Sequence, residues 1–298
     1  MIRFFTGIFT FILVLVNALF VIFVVTPLGL LRFIPIKPFQ IFILRVNEKF
    51  GELYLFFNSR LQDLMHKSKF EVHGQEKLKK DMWQFTTINH LSWADIFVYL
   101  YFCNYRQGVP RIFMKSQLWW LPITWTANLG LAMPFVVRRS KEAIKANPKL
   151  AETDKNATRR ACKMYQIMPT NVGGFIEGTR IDKQKYLASK SKFKNLMPPK
   201  IGGMGYTLEV MPYIDHLTDV TIVYKSDKRS FWNFLCGDLN EASVTINTYE
   251  IPKELRGVDY ADNDEMRDKL KSFLESVWEV KDEIIENEKK KFGIESVF

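Results

Sequence analysis

Trp83-Gln84-Phe85-Thr86-Thr87-Ile88 is followed directly by Asn89-His90-Leu91-Ser92-Trp93-Ala94-Asp95, and that by the apolar run Ile96 to Tyr105. The first block is rich in β-branched and aromatic residues and reads as a strand. From Asp95 to Tyr105 the chain reads as a helix. The polar heptapeptide therefore lies where a strand ends and a helix begins. Working outward, Lys69 to His73, Met133 to Val137, Val172 to Ile176, Val220 to Tyr224 and Ser243 to Tyr249 also read as strands. A polar helical stretch around Lys141 to Met168 separates two of them. Strands alternating with helices specify an α/β domain.

At the far end, Met266, Leu270, Phe273, Leu274, Val277, Ile284 and Ile285 recur at helical spacing. They define an amphipathic C-terminal helix that closes on the charged run Glu286 to Lys291. At the near end, no charged residue occurs between Arg3 and Arg32. Phe4 to Val25 is almost wholly apolar and would span ~33 Å as a helix, enough for a hydrocarbon core. It is too long for a signal peptide, and no small-residue cleavage site follows. A shorter apolar run, Phe33 to Leu44, carries Pro35, Lys37 and Pro38. Two arrangements fit: one spanning helix, or a helix pair lying in one leaflet. Arg32, Lys37 and Arg45 outnumber Arg3, which places the downstream side in the cytoplasm. The expected organisation is a membrane anchor over residues 1–50 and a globular domain over 57–298.

The 298 residues carry a net charge of +10. Between Arg138 and Lys200 stand 16 Lys and Arg against 5 Asp and Glu, a surplus of +11, so the remainder sums to −1. Charge concentrated this way suits an anionic partner; lysines on a solvated helix would leave the same trace. Cys103, Cys162 and Cys236 are far apart and odd in number, which fits buried thiols in a reducing compartment. The four histidines fall in no HExxH-type spacing, so no protein-bound metal is expected. There are no internal repeats, no glycine-rich phosphate loop and no nucleic-acid motif, so the positive charge does not by itself mark a nucleic-acid binder.

Two constellations can carry chemistry. In the first, His90 and Asp95 differ by ~140° on an ideal helix and would not face each other. They meet if His90 sits in the turn before the helix and Asp95 in its first turns. A carboxylate there fixes one imidazole tautomer and stabilises the imidazolium, making His90 a general base. A structural histidine capping a helix satisfies the same spacing. The second is Phe175-Ile176-Glu177-Gly178-Thr179-Arg180: a strand end, a glycine turn, a hydroxyl and a planar guanidinium suited to phosphate. A β-turn with a surface arginine is the plainer alternative.

Together and in this order, the two motifs resemble those of the lysophosphatidic acid acyltransferases (1-acylglycerol-3-phosphate acyltransferases). The family's NHxxxxD matches at Asn89, His90 and Asp95, and its FxEGTR matches from Phe175 to Arg180. Its FxxR resembles Phe135 to Arg138, preceded by Lys115, Leu118 and Pro122. Pro199-Lys200-Ile201-Gly202-Gly203 is similar to its PKxGG turn. The resemblance covers roughly Phe70 to Tyr224. It implies a mixed sheet flanked by helices, behind an N-terminal membrane helix or helix pair. It implies His90 and Asp95 as catalytic residues. It implies Phe135, Arg138, Glu177, Gly178, Thr179 and Arg180 at the substrate, with Asn89 and Lys200 supporting the motifs.

It further implies acyl transfer from acyl-CoA or an acyl carrier protein, as co-substrate and with no cofactor, to a lysophospholipid hydroxyl, most simply that of lysophosphatidic acid. The implied partners are membrane lipids, with no nucleic acid. The implied location is a membrane, a bacterial inner membrane by subgroup, with the catalytic domain in the cytoplasm. Glu177 is the exception to an easy assignment, because a carboxylate beside a phosphate repels it unless an arginine pairs with it. The oxyanion stabiliser is not legible in the sequence; a backbone N–H in the loop around Ser92 is one candidate. At Asp219 to Tyr224 the family's valine-proline pair is missing. That variant is similar to the branch with lysocardiolipin-type and bacterial inner-membrane enzymes, which opens the choice of head group. A non-catalytic lipid-binding relative is the alternative of a different class.

Overall fold

In the computed structural model the described residues are 1–103, 106–116, 119–133, 135–136, 152–153, 156, 158–160, 162–261 and 263–297. The turn at residues 89–94 connects strand β2 (Gln84–Ile88) to helix α3 (Asp95–Cys103), as the sequence expects. The other strands are β1 (Lys69–His73), β3 (Met114–Lys115), β4 (Phe135–Val136), β5 (Asn171–Gly174), β6 (His216–Tyr224) and β7 (Glu241–Glu250). Five of them form one mixed sheet in the order β1-β7-β6-β2-β5. β5, β2 and β6 are mutually parallel, β7 runs antiparallel to β6, and β1 is parallel to β7. β3 and β4 make a separate two-stranded parallel ladder. All five residues of β2 are buried, as are eight of the nine in β6, the pattern of central strands covered on both faces.

The remaining helices after α3 are α4 (Pro122–Leu131), α5 (Lys183–Ser189), α6 (Ile201–Val210), α7 (Phe231–Leu235) and α8 (Asp264–Phe292), of which α8 packs on β6. Asn263 caps α8 by accepting from the Met266 amide, and Gly293 ends it at φ +66°, the left-handed conformation that glycine adopts freely. Leu270, Leu274, Val277, Trp278 and Ile285 of α8 are buried. Lys281 is buried with them. Its Nζ donates to Asp219 Oδ1 and to the Val220 carbonyl of β6, each at 2.8 Å.

The anchor region departs from a simple two-domain reading. α1 runs Ile2–Leu30, and α2 runs without a break from Lys37 to His66, across the expected boundary at residues 50–57. Pro38 sits in the first turn of α2, where a missing N–H costs nothing; it starts the helix rather than interrupting it. Beyond Leu44 the helix turns a polar stripe inward: Asn47, Glu48, Glu52, Asn58, Ser59, Gln62 and His66 are buried. Glu52 pairs with Lys80 and Lys49, Gln62 donates to the Phe97 carbonyl, and His66 meets the Leu235 carbonyl. Phe42, Phe57 and Leu64 face outward. α2 thus buries a polar stripe beside Ile43, Leu44 and Leu55, while some large apolar side chains face outward among Arg45, Lys49 and Arg60.

α1 lies against α2, α4 and α7. Its buried stripe is Gly7, Thr10, Asn17, Val21, Val25 and Gly29. At its start, Arg3 Nε donates to Asp238 Oδ1 at 2.9 Å, and Gly7 sits under Trp232 and Cys236. At its end, Thr26 and Thr126 hydroxyls are 2.8 Å apart and Arg32 donates to the Leu129 carbonyl. A Cβ on Gly29 would lie 2.6 Å from the Leu129 backbone, and one on Gly130 would lie 2.1 Å from Val25. Only hydrogen at both positions allows α1 and α4 to cross this closely.

Candidate active site at the carboxyl end of the second strand

Asn89, the first residue after β2, replaces a ladder residue with its side chain. Its amide donates to the Ile222 carbonyl and accepts from the Ile222 N–H, both at 2.8 Å. That clasp to β6 fixes where the turn leaves the sheet. Asp95 opens α3 and closes the turn. Its Oδ2 accepts from the Leu91 amide at 2.7 Å, the Ser92 amide at 2.8 Å and His90 Nδ1 at 3.0 Å. Its Oδ1 accepts from the Tyr224 hydroxyl at 2.9 Å. Burial and the adjacent Asp95 carboxylate push the Tyr224 phenol well above its ordinary pKa, so it stays protonated and donates.

An ionised carboxylate only accepts. The proton in the His90–Asp95 bond is therefore on Nδ1, which leaves Nε2 as the nitrogen with the lone pair in the neutral imidazole. The imidazole is 14% exposed and stacks on Phe175, ring centres 4.0 Å apart at 21°. Among the described residues no group bonds to Nε2. The His90–Asp95 approach was expected from the sequence; Tyr224 and Phe175 as its supports were not. Tyr224 ends β6 and lies 129 positions from Asp95, beyond the reach of any local spacing rule.

The second motif folds onto the first. The His90 amide donates to Glu177 Oε1 at 2.9 Å, and the His90 carbonyl accepts from the Ile181 amide at 2.9 Å. Glu177 Oε2 accepts from the Met197 amide at 3.2 Å. Glu177 was expected at the substrate. It is instead buried, with both oxygens turned into the protein, and it braces the His90 turn against the 196–200 segment. No arginine pairs with it among the described residues. Burial raises its pKa to about 7, against the opposing pull of the His90 and Met197 amides and of Lys281.

Gly178 is exposed at φ +79°, and a Cβ there would lie 2.8 Å from Lys200 Nζ. The Lys200 amide donates to the Ile176 carbonyl at 2.8 Å. Arg180 is exposed, its guanidinium carbon 5.0 Å from the Trp93 ring centre. Thr179 is half-buried between them. Two cations, Arg180 and Lys200, thus flank one exposed glycine turn. Phe135 sits in β4, half-buried against the core, and its register partner is Met114. Arg138 and Leu118 lie outside the described residues, as does much of the basic stretch.

Of the backbone amides from His90 to Asp95, that of Trp93 alone is left without an acceptor among the described residues, so it is the N–H near Ser92 open to an oxyanion. The amides of Leu91 and Ser92 serve Asp95, and that of Ala94 serves Ser92 Oγ at 3.0 Å. Ser92 Oγ itself donates to the Arg229 carbonyl at 2.6 Å, so it is a turn-forming hydroxyl. Beside the site runs a groove of about 240 Å³, lined by Ile88, Ile96, Ile112, Phe113, Phe175 and Thr207, with Gly178 and Lys200 also on its wall. Phe175 is shared between this apolar wall and the His90 ring. Among the described residues no three His, Cys, Asp or Glu side chains converge as a metal site would require. The three cysteines are free and buried.

Residues 69–225 match the model of the Acyltransferase family. The chain belongs to the acyltransferase family. The matched span begins with β1 and ends just past Tyr224, so both motifs of this acyltransferase lie inside it. Among solved structures the acyltransferase is similar to the crystal structure of the 1-acyl-sn-glycerophosphate (LPA) acyltransferase, PlsC, from Thermotoga maritima. Identity is 17% and the TM-score 0.46, over 95% of this chain and 98% of that chain. No curated protein sequence matches it.

Proposed function

We propose that this acyltransferase moves a fatty acyl group from the thioester of acyl-CoA or an acyl carrier protein to the free hydroxyl of a lysophospholipid, foremost lysophosphatidic acid, giving phosphatidic acid. The observation that carries this reading is the His90 imidazole, held at Nδ1 by Asp95, with Nε2 free beside an apolar groove and a two-cation turn.

In this mechanism Nε2 takes the hydroxyl proton as the oxygen attacks the thioester carbonyl. The C–O bond forms, the C–S bond breaks, and the proton passes to the leaving thiolate. Asp95 stabilises the imidazolium and Tyr224 holds Asp95 in place. Arg180 and Lys200, with Arg138, serve the phosphate. No acyl-enzyme forms, because the serine of the turn is committed to a backbone carbonyl. The groove takes the acyl chain.

The setting of α1 supports attachment within one leaflet. Among the described residues it is the one helix long and apolar enough to cross a membrane. A spanning helix puts its ends ~30 Å apart on opposite sides of the bilayer. Here both ends, Arg3 to Gly7 and Thr26 to Arg32, touch the same globular body. We therefore favour a helix pair in the plane of the membrane over a spanning helix, on a cytoplasmic face as reduced cysteines suit.

The test is acyl transfer and melting temperature on the same detergent-purified variants, with a panel of lysolipids and one labelled acyl-CoA. His90→Ala should lose ~10²–10⁴ in turnover at nearly unchanged lysolipid affinity and melting temperature. Asp95→Asn should lose most activity. A folded His90→Ala protein with near-normal transfer overturns the mechanism. Preference for lysophosphatidylglycerol or lysocardiolipin in the panel would move the head group and keep the chemistry.

A further inference from the structure

From Gln117 to Val137 the chain carries no charged residue, although a quarter of all its residues are charged. Three of its seven tryptophans, Trp119, Trp120 and Trp125, fall within seven residues of this run. Pro122, at the start of the ten-residue α4, and Pro134 divide the run, so it is too broken to be a spanning helix. It is not a core helix either. Thr124, Thr126, Gly130 and Leu131 form its buried side. Trp119 and Trp120 are 61% and 65% exposed, and Ile123 and Trp125 are each 43% exposed.

The side chains on display are therefore the largest apolar ones, with no charge among them. In water such a patch is a liability. Indole suits the boundary between lipid head groups and acyl chains, because its apolar ring and polar N–H want different surroundings.

The position of the patch points the same way. α4 is clamped to the last turns of α1 by the Gly29–Gly130 crossing, the Thr26–Thr126 hydrogen bond and the bond from Arg32 to Leu129. On that part of α1, Phe23 and Leu30 are exposed. The helix that carries the patch is thus rigidly placed against a part of α1 whose exposed side chains are also apolar.

We propose that Trp119, Trp120, Ile123 and Trp125 form a second membrane-contact surface, seated in the head-group boundary of a lipid bilayer. It lies in the globular domain rather than in the anchor. Together with the anchor it gives the body a further point of contact, which sets the tilt of the domain on the bilayer.

The native thiols are buried, so a fluorophore can be placed selectively. Trp120→Cys in the full chain, labelled with an environment-sensitive nitrobenzoxadiazole dye, is bound to phosphatidylethanolamine and phosphatidylglycerol vesicles. Glu283→Cys, at an exposed position of α8, serves as the aqueous control. The label at 120 should shift to the blue, be quenched by head-group-level doxyl lipid and be shielded from iodide, while the label at 283 behaves as in water. Replacing Trp119, Trp120 and Trp125 together by serine should lower vesicle partitioning by roughly tenfold or more without moving the melting temperature.

A protein that sediments with vesicles while its label at 120 stays open to iodide overturns the proposal and leaves the anchor and the chemistry untouched. Energy transfer between labelled copies, rising with protein-to-lipid ratio and without doxyl quenching, also overturns it in favour of a second copy on this surface.

Discussion

The guanidinium carbon of Arg180 lies 5.0 Å from the centre of the Trp93 indole, and among the described residues it forms no ion pair. Trp93 lies within the NHxxxxD turn and Arg180 ends the FxEGTR turn. One cation–π contact therefore joins the side that handles the proton to the side suited to phosphate. It also leaves the donors of the guanidinium free.

Arg180→Ala should raise the KM for lysophosphatidic acid, with a loss of roughly tenfold to hundredfold in kcat/KM, as expected for one charge-assisted hydrogen bond. Trp93→Ala should raise the same KM by about two- to fivefold, since an exposed cation–π contact is worth ~0.5–1 kcal/mol. Trp93→Phe should recover most of it at constant kcat. Steady-state kinetics on the four proteins decide the matter; a Trp93→Ala enzyme altered in kcat alone would remove the positioning role.

Glu177 gives stability a pH signature. Burial raises its folded pKa to about 7, whereas in the unfolded chain it ionises near the ordinary carboxylate value. Below that value both states hold the proton and no penalty exists. As pH rises toward about 7 the unfolded chain releases the proton and the folded chain retains it, so stability falls by about 3 kcal/mol over this window and then levels off. Denaturant titrations from pH 4.5 to 8 should show this decline, and Glu177→Gln should flatten it. An equally steep decline in the glutamine variant would assign the slope to another group.

Lys281 and Asp219 form a buried ion pair, and breaking it by halves should be costly. Lys281→Met leaves a carboxylate in the core facing only Thr221, with an expected loss of ~3–5 kcal/mol. Lys281→Met combined with Asp219→Val should regain much of that. Urea midpoints on the three proteins measure it. Additive losses in the double variant would mean the pair is not coupled.

The arrangement of α1 predicts accessibility on one side only. With its start tied to Asp238 and its end to Leu129, a cysteine at position 2 and one at position 34 should both react with a membrane-impermeant maleimide added to the same face of sealed vesicles. Labelling of the two positions from opposite faces would restore the spanning arrangement.

Much of this was legible in the chain itself. Six of the seven strands lie within a few residues of where β-branched and aromatic content puts them, and the two-residue β3 was not expected. The largest error is at β6, which starts at His216 rather than Val220 because Thr218 and Asp219 look solvent-facing. They are buried only because Gln84 accepts from one and Lys281 pairs with the other. The His90–Asp95 pair was readable because five residues of turn are a local problem, solved by the start of one helix.

The charge-free run at Phe4 to Val25 was equally local, since it needs nothing but composition; the run Gln117 to Val137 takes its meaning only from the exposure of its tryptophans in the fold. Tertiary structure decided everything that depends on contacts far apart in sequence. It set Tyr224 on Asp95, stacked Phe175 on His90 and turned Glu177 inward as a brace. It also buried a polar stripe of α2 and laid both ends of α1 on one body. The physical reason is that periodicity reports which face of an element avoids water, but not what covers that face. The cover is chosen by chain crossings that bring residues a hundred or more positions apart to one sheet edge, and no spacing rule within an element encodes it.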